Sequence, residues 1–138
     1  PMPHTDTIPV SASIASTGKD LRYVGNYCYG YSGLVTVQNS PVALFETTTG
    51  SGVIVCQIGM FTSDTSTNNA EIAVSLNDVN VIVFEVLNTT QGDYLNGFAP
   101  MDLIIPPLSK FKLTAVNTAS SSGMTWYATV TGRVYGAE

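Results

Sequence analysis

The feature that most constrains this chain is the short distance between its breaks. Gly, Asn, Asp, Ser and Pro interrupt every apolar run before it reaches the length of an ordinary helix, and the runs between them are rich in Thr, Val, Tyr and Phe. Ile72, Val74 and Leu76 alternate with Glu71, Ala73 and Ser75, which are polar or small, and Phe111, Leu113 and Ala115 with Lys110, Lys112 and Thr114. A period of two places each set on one side of an extended strand. Eight strands are predicted on this basis, over 31–37, 42–47, 53–61, 70–76, 79–87, 101–105, 110–117 and 124–135. Asn77-Asp78 is the expected tight turn between the fourth and fifth.

Eight short strands cannot each bury a face alone, so they must pack as two layers. The predicted fold is all-β: an eight-stranded antiparallel β-sandwich, jelly-roll-like, over residues 21–138. Ile54, Ile72, Val74, Phe111, Leu113 and Trp126 are its expected core. Residues 1–20 read as an extended N-terminal arm, because Pro1, Pro3 and Pro9 break regular structure and Ser11 to Thr17 is small and mostly polar. Between arm and first strand, Tyr27, Tyr29 and Tyr31 would share one face if the segment is extended.

The 138 residues are 44% apolar but only 11% charged, against about 25% for an ordinary soluble domain. A charge-poor surface is suited to being covered by other chains, so a homo-oligomer, with a trimer favoured, is expected. The net charge is −5, and Lys19, Arg22, Lys110, Lys112 and Arg133 form no run. That distribution argues against a nucleic-acid partner. No run approaches the ~20 apolar residues of a membrane-spanning helix, and the N-terminus shows no signal-peptide pattern. Synthesis and assembly in the cytoplasm is therefore the expectation, unless a leader has been removed.

The constellations that carry chemistry are thin. A Ser-His-Asp or Cys-His site needs a rigidly held imidazole, and the one histidine, His4, lies in the arm. Paired carboxylates could be drawn from Glu46, Asp64, Glu71, Asp78, Glu85, Asp93 and Asp102. Glu85, between Phe84 and Val86, stands out, yet alternation turns it to solvent. Asp64, Thr65, Asn68 and Asn69 could form an oxygen-rich loop but lack EF-hand spacing, and read as a polar turn. Gly50 and Gly52 lack the Gly-Lys-Ser/Thr ending of a phosphate loop, and Asn88-Thr89-Thr90 fits the N-glycosylation pattern. Trp126, Tyr127 and Tyr94 are the aromatic candidates for a sugar platform, with Trp126 favoured for the core. Cys28 and Cys56 leave a disulfide and a pair of buried free thiols both open, and are expected to be reduced or dispensable. No catalytic, cofactor-binding or metal-binding residue is assigned, and the chain is expected not to be an enzyme.

The stretch from Leu103 to Asn117 runs through Pro106-Pro107 into the basic-aromatic strand Lys110-Phe111-Lys112. It is followed by Met124 to Tyr135, with Trp126 and the ending Gly132-Arg133-Val134-Tyr135. Together with the hairpin over 70–87, this resembles the last strands of small jelly-roll structural proteins of virus and tailed-phage particles. The resemblance implies a virion role as decoration, cement, vertex or fibre component, commonly trimeric, with no shared catalytic residues. The arm would then attach to a capsid subunit by strand addition. The competing expectation is a carbohydrate- or receptor-binding β-sandwich module, which would need an exposed aromatic platform.

Overall fold

The computed structural model describes residues 20–62, 69–87, 96–97, 100–119 and 123–136. Of the expected arm, only Asp20 falls within them. All described secondary structure is β, in two antiparallel sheets. The larger holds β1 (Arg22–Val24), β2 (Tyr27–Tyr31), β3 (Val35–Val37), β5 (Val53–Thr62), β8 (Asn96–Gly97), β9 (Met101–Ile105) and β11 (Met124–Tyr135). The smaller has the order β4 (Val42–Thr48), β10 (Lys110–Asn117), β6 (Asn69–Leu76), β7 (Val79–Leu87).

The pairings are nested. β6 pairs with β7, β5 with β9, β4 with β10, and β2 and β3 with β11, each antiparallel. One long hairpin folded over so that its outer pairs fall alternately in two sheets gives this pattern, which is the jelly roll of two Greek keys. At the hairpin's tip, Asn77 and Asp78 have φ of 53° and 68°. Positive φ at both central residues is the type I′ turn that matches strand twist, and Asn and Asp tolerate it.

The alternation predicts eight strands, and the described residues form eleven strand segments. β1 and β8 are additional. The first expected strand begins earlier, at Tyr27, and divides at Ser32. The Ser32 hydroxyl accepts from the Ala128 amide at 2.9 Å and donates to the Gly33 carbonyl at 2.8 Å. The side chain thus takes over a ladder position, Gly33 turns at φ 74°, and β3 resumes along the same strand, β11.

The six expected core residues are all buried, Trp126 and Phe111 completely. A register shift between Leu113 and Thr114 lets Leu44 and Phe45 both face inward. Phe45 then stacks on Phe111 with ring centroids 6.1 Å apart. Gly30 of the opposite sheet makes room for it: a Cβ there would sit 2.8 Å from Phe45 Cε1. The two sheets therefore meet through large rings on one side and a missing side chain on the other.

Candidate functional site

Alternation that turns Cys28 and Gly30 inward turns Tyr27, Tyr29 and Tyr31 outward, onto the solvent face of the larger sheet. Register does the rest. Val24, Tyr27, Arg133, Val55 and Ile104 are successive cross-strand partners and form one row across five strands. The next row is Arg22, Tyr29, Thr131, Gln57 and Asp102. Tyr31, Thr129 and Gly59 follow, then Tyr127 opposite Phe61.

The aromatic rings on this face contact one another. Tyr127 stacks on Phe61 at 5.2 Å and meets Tyr31 edge-on at 6.2 Å. The Arg133 guanidinium lies over Tyr27 at 5.5 Å and over Tyr135 at 5.3 Å. Each such cation–π contact is worth about 0.5–1 kcal/mol at an exposed site. They hold Arg133 in place while Tyr27, Tyr29, Tyr31 and Tyr135 stay 46–55% exposed. A groove of about 870 Å³ crosses the face beside Gln57, Asp102 and Thr131 and rounds the edge strand β9 to reach Val81 and Ile82 of β7.

Beneath the Arg133 row lies a second one facing the core: Tyr23, Cys28, Gly132, Cys56 and Leu103. Both cysteines are free and buried. Burial lifts the Cys28 thiol from 9.0 to about 11. Burial, then Cys28 and Asp102, lift Cys56 to about 12. Tyr23 is raised to about 12 by burial, with Cys28 and Asp20 adding to it. Thiols held protonated this firmly are packing groups, since the thiolate is the nucleophile.

The residues weighed for catalysis are scattered. Glu85 is exposed on β7, as alternation predicts, and accepts from the Thr118 hydroxyl at 2.8 Å. Glu71 lies directly across from it. Glu46 is 3.8 Å from Lys112, Asp78 is 3.3 Å from Lys110, and Asp102 lies on the tyrosine face opposite Gln57. No group of three His, Cys, Asp or Glu side chains suited to a metal occurs among the described residues. Gly50 and Gly52 sit in the β4–β5 connection, where Thr49 accepts from the Ser109 amide at 3.0 Å, and a strand rather than a helix follows. His4, Asp64, Thr65, Asn68, Asn88, Thr89, Thr90, Asp93 and Tyr94 lie outside the described residues.

Of the aromatic candidates for a platform, Trp126 is in the core and Tyr127 is on the face. Phe61 carries no signal in the sequence, and Arg133 and Tyr135 are marked there only as part of the ending Gly132-Arg133-Val134-Tyr135, not as part of a platform. The one available signal was the Tyr27, Tyr29, Tyr31 alternation, which marks the face but not its neighbours.

No protein-family model matches the chain, and no curated protein does. Among solved structures, it is similar to an infectious bursal disease virus VP2 subviral particle, at 15% identity and a TM-score of 0.48 over 78% of this chain and 32% of that one. Infectious bursal virus derived T=1 particles match at 15% identity and 0.49, over 81% and 33%. The T13 particle of the same virus matches at 18% and 0.44, over 81% and 32%. The chain thus spans about a third of the length of the structures it matches.

Proposed function

We propose that this chain is a non-enzymatic structural subunit of a virus particle, a decoration, cement, vertex or fibre component, acting as a symmetric oligomer. The observation that carries the self-association is the outer face of the larger sheet. Val24, Tyr27, Tyr29, Tyr31, Val55, Ile104 and Tyr135 are all exposed on this one sheet, with Arg133 over two of the rings. Tyr and Arg enrichment with few Lys and Glu is the composition of a protein interface, not of a solvated surface. The particle itself enters through the resemblance of the C-terminal strands to virion jelly-roll proteins, which the nested topology supports. In this reading assembly takes place in the host cytoplasm, and residues 1–20 attach the oligomer to a capsid subunit by strand addition.

The same face favours a second reading, a receptor- or glycan-binding module, because exposed tyrosines border Asp102 and Gln57 in a groove. Co-sedimentation with the parent particle separates the two. The chain should pellet with particles, and removal of residues 1–20 should abolish pelleting while leaving the β-domain folded, since it keeps every buried core residue among the described ones, from Leu21 on. Undiminished pelleting of the truncated chain contradicts the arm's role. Glycan binding by a stable monomer, lost on Tyr29→Ala, would establish the second reading instead.

A further inference from the structure

A closed ring of three or more subunits needs two different patches on every subunit, one meeting the other around the ring. The two must stand at an angle, because patches on opposite sides of a molecule stack copies in a line. Under the oligomer reading above, on which this inference rests, the groove on the tyrosine face is one patch. Its mate lies at the same corner of the domain, where β9 leaves the larger sheet. The chain there runs Pro106-Pro107-Leu108-Ser109 before β10 begins. Pro107 followed by Leu108 at φ 54° has the order of a type II turn, whose third position ordinarily takes Gly or Asn. A leucine in that region is strained. Leu108 is also 73% exposed, the most of any large apolar side chain among the described residues. The turn is held from behind: Ser109 is buried, its amide donates to Thr49 Oγ1 at 3.0 Å, and the Leu108 amide donates to the Gly50 carbonyl at 2.7 Å. A leucine that is strained and mostly in solvent does little for its own subunit. A firmly held apolar knob of this kind serves a contact with another molecule.

The groove matches this knob in shape and charge. Tyr27, Tyr29, Val55 and Ile104 line it, within a volume of about 870 Å³. Aromatic-lined grooves take proline-bearing segments well, because the proline backbone is ordered before it binds. Pro106 and Pro107 are both exposed beside Leu108. Each patch also brings one acid and one base. Lys110, just past the turn, holds Asp78 at 3.3 Å, and the groove carries Arg133 and Asp102. Exchanging these partners across a contact fixes its orientation. The turn lies at the end of the strands and the groove on the face of the sheet. The two patches therefore stand roughly at right angles, and copies joined through them turn about an axis instead of extending in a line.

We infer that the Pro106-Pro107-Leu108 turn of one subunit docks in the tyrosine groove of the next copy around the ring, with Leu108 against Tyr29 and Val55, Asp78 facing Arg133 and Lys110 facing Asp102. The contact is heterologous, and every subunit gives one turn and receives another.

Two variants of the full chain test it, with mass by sedimentation velocity and folding by circular dichroism. Leu108→Asn removes the knob and suits the positive φ, so the fold should be kept. Thr131→Trp fills the groove from an exposed position of β11, where an aromatic residue suits a strand. Each alone should weaken assembly by more than about tenfold. Mixed at concentrations well above those at which the wild-type chain assembles, the two should form a pair of twice 14.6 kDa and no ring, because one turn and one groove remain to meet. A Leu108→Asn chain of wild-type mass overturns the contact, and if that chain no longer pellets with particles the turn belongs to a capsid subunit instead. Folded variants that form no pair when mixed also overturn it. A wild-type monomer at micromolar concentration contradicts the oligomer reading itself, and this contact with it.

Discussion

Gly132 shows how closely single residues are constrained. It sits between Cys28 and Cys56 in the core-facing row, and a Cβ there would lie 2.5 Å from Cys56 Cβ and 2.7 Å from the Val55 carbonyl oxygen. The second contact is backbone and cannot swing away. Gly132→Ala is expected to lower stability by about 1–3 kcal/mol, read by chemical denaturation. The two cysteines are each one strand away from Gly132 on opposite sides, so their Cα atoms are roughly 9–11 Å apart. That exceeds the ~7 Å limit for a disulfide, which resolves the alternative that sequence left open. Neither thiol should react with an alkylating reagent in the native state, and both should react after unfolding. Trp126, fully buried, is expected to cost about 3–5 kcal/mol when changed to Ala.

Among the elements, the β6–β7 hairpin was the most legible and β2 the least. In β6 the inward residues are Ile72 and Val74 and the outward ones Glu71 and Ala73, so the period is plain. In β2 the inward residues are Cys28 and Gly30 and the outward ones are tyrosines, so the apolar pattern is inverted. Gly30 is inward because Phe45 of the other sheet needs the space, which is a tertiary reason that no local pattern carries. The turn at the hairpin's tip offers a test of element-level specification. Asn77 holds φ 53° and its Oδ1 accepts from the Lys110 amide at 2.9 Å. Asn77→Ala loses both the tolerance for positive φ and that bond, and should destabilise by about 1–2 kcal/mol, seen as a lower denaturation midpoint at unchanged slope.

For the whole molecule, the layer count and the core were readable because one face of each strand must be dry. The candidate site was not, because Tyr27, Phe61, Tyr127, Arg133 and Tyr135 come from β2, β5 and β11 and only register brings them together. The buried titratable row also gives the molecule a pH signature. Tyr23, Cys28 and Cys56 all titrate higher in the folded state than their ordinary values, to about 12, 11 and 12. The folded state therefore retains protons that the unfolded chain would release. The stability they contribute is fully present below about pH 9 and is lost as pH rises through 11–12. Stability measured against pH should be insensitive to these groups near neutrality and fall steeply on the alkaline side, and Cys56→Ala should make that fall shallower.

The claim on which the account turns is that the exposed tyrosine-bearing face of the larger sheet exists to be covered by further copies of the same chain. Sedimentation equilibrium of the 138-residue chain over the micromolar range measures this directly. The account predicts one closed species whose mass is a fixed multiple, three or more, of 14.6 kDa and does not grow with concentration. A single species of 14.6 kDa throughout that range would contradict it.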